Sequence, residues 1–251
     1  MSRRIAIAGK GGTGKTTLAA LLIRYLIDQQ PGRPILAVDA DPNANLNEAL
    51  GLEVTSTIGT ILEDTKKPGA IPAGMTKDLF IEYRLSMALV ETRDFDLVTM
   101  GNPQGPGCYC YPNDLLKRYL ERLSSNYDYL VIDNEAGLEH LSRRLLPQID
   151  LLLVTSDATA RGIRSAARVK QIVAGVKIEA QQMGLIVTQG RDGEVGQLSA
   201  EIERSGLSLL GEIPYDPMVA EYDLQGKPLL SLPPDSESVR ASIRLFEKLP
   251  L

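Results

Sequence analysis

An α/β fold, built on a mostly parallel central sheet with helices on both faces, is what this chain of 251 residues predicts. Three observations predict it. Short β-type runs alternate with helix-length segments from end to end, the pattern of consecutive βαβ units. The apolar content is aliphatic, since three Phe, nine Tyr and no Trp leave Val, Ile and Leu to fill strands buried on both faces. A glycine-rich turn, Gly9 to Gly14, joins the first β-type run to the first helix-length segment.

In chain order the β-type runs are Arg4–Ala8, Ile35–Val38, Leu79–Tyr83, Leu97–Met100, Tyr129–Asp133, Leu151–Thr155, Gly184–Thr188 and Leu209–Ile213. The helix-length segments are Lys15–Gln29, Asp114–Ser125, Thr159–Ala174, Glu194–Ser205 and Ser236–Lys248. Connections between a strand and a parallel neighbour need such crossovers. Residues 65–77 carry Lys-Lys-Pro-Gly and Pro-Ala-Gly and read as an exposed loop. With no repeat, low-complexity tract or linker, residues 1–251 read as a single domain.

Composition excludes several classes. A formal charge of −5 with no basic stripe argues against a nucleic-acid partner. The N-terminal apolar run is too short for a signal-peptide core, and no stretch approaches a membrane span, so a cytoplasmic protein is expected. In that compartment two cysteines are free thiols, metal ligands or redox groups rather than a structural disulfide.

Residues 9–16, Gly-Lys-Gly-Gly-Thr-Gly-Lys-Thr, fit G-x-x-x-x-G-K-[ST] between a strand and a helix. Gly11, Gly12, Thr13 and Gly14 let successive N–H groups converge on phosphate oxygens, aided by the helix N-terminus. Lys15 is placed to reach the β- and γ-phosphates, Thr16 to ligate Mg²⁺ and Thr17 to donate to the α-phosphate. The ligand expected is Mg·ATP, and the fold a P-loop NTPase.

The string Lys10 to Thr17, with its second lysine, resembles the deviant Walker A signature of the MinD, ParA, nitrogenase iron protein and arsenite-pump ATPase group. The resemblance implies that Lys10 crosses a homodimer interface to the partner's nucleotide, so that hydrolysis needs two subunits. It covers most of the chain. Asp39 and Asp41 look like the group's switch I, with Asp41 handling the attacking water and Asp39 the Mg²⁺ hydration shell. Asp133 ends an apolar strand in the Walker B manner, and Gly137 follows in a segment resembling switch II. Much of the group has proline where Glu135 stands, and the resemblance assigns Glu135 no role. Pro214 and Asp216 look like the base-recognition segment. Gln189 stands where the group usually has Asn.

Both cysteines lie in a Gly/Pro-rich loop around 105–113, as Cys108-Tyr109-Cys110. A C-x-C pair cannot alone complete a four-thiolate site. Two such loops meeting on a two-fold axis would, for Zn²⁺ or for planar Ni²⁺. A C-x-C in this position resembles the CooC/AcsF-type nickel-insertion ATPases, as does the stretch 136–141. That implies an ATP-gated homodimer whose Cys108 and Cys110 bridge nickel or zinc, and whose client is carbon monoxide dehydrogenase or acetyl-CoA synthase. His140 is a switch-coupled or a packing residue. The alternative is a MinD/ParA-like positioning ATPase, in which Val239, Ile243, Phe246 and Leu249 form the apolar face of a terminal helix that meets a membrane or partner.

Overall fold

Alternate residues along a buried strand face opposite layers, and here the two layers are separate aliphatic clusters. Ile5, Ile7, Ala37, Val131 and Leu153 face one, while Ala6, Ala8, Val38, Ile132 and Val154 face the other. The computed structural model describes residues 2–102, 110–135, 148–175 and 178–251, and only the backbone of 110–113. The strands are β1 Arg3–Gly9, β2 Ile35–Asp39, β3 Val90–Glu91, β4 Asp96–Thr99, β5 Tyr129–Asp133, β6 Gln148–Asp157, β7 Glu179–Gly190 and β8 Ser208–Pro214. They form one sheet of order β3-β4-β2-β5-β1-β6-β7-β8. Every pairing is parallel except β3 with β4.

The helices are α1 Lys15–Gln29, α2 Leu46–Leu50, α3 Ile58–Asp64, α4 Lys77–Ser86, α5 Cys110–Leu123, α6 Ala160–Gly175, α7 Glu194–Gln197, α8 Ser199–Ser205, α9 Pro217–Gln225 and α10 Glu237–Phe246. In α1, Leu18, Leu22 and Leu26 recur every four residues and are buried with α10 on one face of the sheet. Burying each such side chain contributes about 2 kcal/mol. The other layer takes residues of α3, α4, α5, α6 and α8.

Leu79–Tyr83 is not a strand. It lies inside α4, where Thr76 caps the helix by accepting from the Leu79 N–H at 3.3 Å. Phe80, Ile81 and Leu85 are buried while Leu79 and Tyr83 are exposed, a helical period rather than an alternation. The segment Glu194–Ser205 is two helices, α7 and α8, parted at Leu198.

The apolar face of α10 is covered from within. Val239 and Phe246 are buried, Ile243 and Leu249 pack on the same cluster, and the Phe246 ring lies 5.4 Å from Tyr25. Among the described residues no helix is long and apolar enough to cross a membrane.

Parallel strands put their C-terminal ends on one edge, so Gly9, Asp39, Thr99, Asp133, Asp157 and Gly190 end there together. The chain turns one way from β1 and the opposite way from β6, its neighbour. Crevices of open α/β sheets form at such a point.

Candidate nucleotide site

Gly9 ends β1 against Thr155 of β6. A Cβ there would lie 2.3 Å from Thr155 Oγ1 and 2.6 Å from its carbonyl oxygen, so only glycine fits. Gly12 (φ 78°) and Gly14 (φ 68°) then turn the chain through the left-handed region into Lys15, the first residue of α1. Gly14 caps α1 with no side-chain hydrogen bond, which leaves first-turn N–H groups for an anionic ligand.

The loop's carbonyls are tied back. Thr13 Oγ1 donates to the Lys10 carbonyl at 2.7 Å, Gln189 Nε2 to that of Gly12 at 3.1 Å, and Thr188 Oγ1 to that of Thr13 at 2.9 Å. Thr13 Oγ1 also lies 2.8 Å from Thr155 Oγ1. Holding carbonyls outward is what lets the N–H groups face a phosphate. Thr155 and Thr188 escaped the motif reading. The signal they left is a hydroxyl residue closing an aliphatic run, Leu151 to Thr155 and Leu185 to Thr188.

Lys15 is buried and Lys10 is exposed. Burial lowers the pKa of Lys15, and the charges of Asp133, Asp41 and Glu135 work against that. Asp39 and Asp133 are register partners on adjacent strands. Asp39 accepts from the N–H groups of Asp41 at 3.1 Å and Leu46 at 2.9 Å. Burial, with Asp133 and Asp41 nearby, pushes its carboxyl up to about 7 despite those bonds. Asp133 Oδ2 accepts from Thr16 Oγ1 at 2.6 Å, while its Oδ1 is buried with no hydrogen-bond partner. Burial pushes Asp133 to about 6, with Thr16 and Lys15 opposing. Asp41 Oδ1 accepts from the Asn43 backbone at 2.9 Å and side chain at 3.0 Å.

A partnerless buried carboxylate oxygen beside a threonine hydroxyl suits Mg²⁺, which binds a few hard oxygens and keeps its waters. Thr16 and Asp133 would hold it, Asp39 would support its water shell, and the ion would offset phosphate charge. Among the described residues no group of three or more His, Cys, Asp or Glu is placed to hold a metal.

The raised carboxyls set a pH dependence. Each binds its proton more tightly folded than unfolded, where the ordinary value is 3.8. Their stabilisation is full below about pH 4 and is lost as pH rises through the folded values of about 6 and 7. The empty chain is expected to melt higher near pH 5 than near pH 8, and Asp39→Asn to flatten that difference. Thermal melts at both pH values check this; an unchanged slope in the variant would refute the assignment to Asp39.

Beside α1 lies a cavity of about 250 Å³ lined by Leu18, Leu21, Gln189, Pro214, Tyr215 and Val219. Thr17 and Asp216 also line it. The Asp216 carboxylate is engaged within the fold, accepting from Met218 N at 2.9 Å, Ser236 Oγ at 2.5 Å and Ser238 N at 3.0 Å. Burial alone would raise its pKa, but these hydrogen bonds outweigh burial and hold it below the ordinary value. It fixes the start of α9 to the start of α10, and thereby the wall after Pro214. Cys108, Gly137 and His140 lie outside the described residues, and Cys110 opens α5.

The family model of the CobQ/CobB/MinD/ParA nucleotide binding domain matches residues 5–229. An uncharacterized ATP-binding protein of Methanocaldococcus jannaschii is 40% identical over 98% of this chain and 97% of its own. The carbon monoxide dehydrogenase accessory protein CooC of Rhodospirillum rubrum is 28% identical over 92% and 90%. The septum site-determining protein MinD of Pyrococcus horikoshii, solved with Mg-ADP, superposes with a TM-score of 0.72 at 27% identity, covering 98% of this chain and 95% of that one. The glycine loop at the sheet's switch point, its tied-back carbonyls and these likenesses have one reading: the chain belongs to the CobQ/CobB/MinD/ParA nucleotide-binding family and is a P-loop ATPase.

Proposed function

We propose that the chain is an ATP-hydrolysing metallochaperone that inserts nickel during maturation of carbon monoxide dehydrogenase or acetyl-CoA synthase. It works as an ATP-gated homodimer, with Cys108 and Cys110 of each subunit completing one four-thiolate site for Ni²⁺ or Zn²⁺. One observation carries this reading: the chain enters the cysteine segment from the end of β4, on the sheet edge that holds the phosphate loop. The strand end it leaves is paired with β2, the Met100 N–H donating to the Asp39 carbonyl at 2.8 Å. The Rhodospirillum rubrum relative, named a carbon monoxide dehydrogenase accessory protein, supports the client class.

In this reading Lys10, exposed on its loop, completes the partner's phosphate site, and Asp41 orients the attacking water. Gly137 offers a backbone N–H to the γ-phosphate. Pro214 and Gln189 hold the base, with Asp216 behind them. The docked face of α10 weighs against the positioning-ATPase alternative, because the same residues cannot meet a membrane without leaving the core.

Mass by light scattering and metal content by elemental analysis test it on anaerobic protein given Ni²⁺. A dimer with one metal per two chains is expected, and complete loss of metal in Cys108→Ala and Cys110→Ala with ATP binding retained. Affinity rises with pH because the ligands are thiolates. Unchanged metal content in either variant would sink the reading.

A further inference from the structure

Gln189 occupies an unusual backbone position. The pairing of β7 with β8 shifts register between Thr188 and Gly190, so Gln189 is the extra residue of a β-bulge. Its φ is 58°, one of two positive values among the described non-glycine residues, the other being Ala44. A side chain held in the left-handed region costs energy that glycine would avoid, and such strain persists where the surroundings enforce it. Here the bulge turns the side chain off the sheet and toward the phosphate loop. Its Nε2 donates to the Gly12 carbonyl at 3.1 Å, next to the bond from Thr188 to Thr13. The same side chain lines the cavity beside α1.

We propose that Gln189 is a positioning residue for the phosphate loop, a strut from the tip of β7 that holds the Gly12 carbonyl outward and the loop open to a triphosphate. Its length matters. Asn, one methylene shorter, could accept the same backbone but not span the same gap. Thr188 and Gln189 together tie two consecutive carbonyls, which fixes the peptide plane between them. With the plane fixed, the Thr13 N–H stays turned to the Lys10 carbonyl, 3.3 Å away, so the loop's turn is set before any ligand arrives and less reorganisation is required on binding. This role rests on the phosphate-loop assignment and is independent of the nickel reading.

A ligand with no base separates this role from base recognition. The probe is Mg²⁺ with tripolyphosphate, titrated calorimetrically into the full chain, with melting temperature recorded for each variant. Wild type binds the probe. Gln189→Gly and Gln189→Asn each weaken it about fivefold, the effect of one neutral hydrogen bond. Gln189→Gly melts no lower than wild type, because relief of backbone strain offsets the freer unfolded chain. Loss of affinity with retained melting temperature is the signature of a strut.

Three outcomes would overturn it. Unchanged tripolyphosphate affinity with weaker ATP binding would make Gln189 a base contact only. Loss of both affinity and melting temperature in Gln189→Gly would make it a folding residue. Failure of wild type to bind tripolyphosphate at all would show that the loop is not held open in advance. Failure to bind ATP, by contrast, would strike at the phosphate-loop assignment itself.

Discussion

Lys15→Met lowers kcat/KM for ATP by about a thousandfold, equivalent to about 4 kcal/mol of transition-state stabilisation. The ammonium sits at the first position of α1, where the helix N-terminus and the loop's N–H groups converge, and it is almost withdrawn from water. A charge in such a place acts through a low effective dielectric and needs no rearrangement as charge develops on the transferring phosphoryl group. Burial lowers its pKa, and the carboxylates of Asp133, Asp41 and Glu135 oppose that shift. Met keeps the length and apolar stem while removing the charge. Steady-state phosphate release measures the effect, and a loss of less than tenfold would mean that Lys15 does not face the phosphates.

Gly9→Ala destabilises the fold by about 3 kcal/mol, the upper part of the range for overpacking a buried site. The added methyl would meet the Thr155 hydroxyl at 2.3 Å, the Thr155 carbonyl at 2.6 Å and the Thr13 hydroxyl at 2.9 Å. Two of these three atoms also belong to the hydroxyl pair at the base of the loop, so the strands and the loop must yield together. At about 2–4 °C per kcal/mol for a chain of this size, the melting temperature falls by about 9 °C. A melt that matches wild type would show that β1 and β6 separate there at little cost.

Local chemistry decided what could be read from the sequence. The glycine loop, α1 and β5 were legible because each is defined by neighbours in the chain: a motif, an aliphatic helix, an apolar run closed by an acid. Leu79–Tyr83 misled because Leu-Phe-Ile-Glu-Tyr has the composition of a strand, while its helix is set by the Thr76 cap and by which residues the sheet buries. The short α2 and α3 give no periodic signal, and α3 depends on a Thr57–Thr60 capping box visible only in three dimensions. At the site, Lys15, Thr16 and Asp133 were expected from motifs and Asp39 from the resemblance, and the fold does bring these four together. The braces were not expected: Thr155 and Thr188 act on residues 142 and 175 positions away, and no local pattern encodes that. The role of Asp216 was half visible, since its place by the cavity follows from its neighbours but its bonds to Ser236 and Ser238 do not.

The central place of β1 has a consequence for synthesis. This strand leaves the ribosome well before β5 and β6, the neighbours it pairs with, whose partner residues begin at Tyr129 and Leu151. At about 5–20 residues per second, β1 waits for several seconds without either neighbour. The phosphate loop waits longer, because Thr188 and Gln189 close it only once β7 has emerged. Until then the loop lacks the two ties that hold the Gly12 and Thr13 carbonyls, and a growing chain presents nucleotide with a looser loop than the folded one.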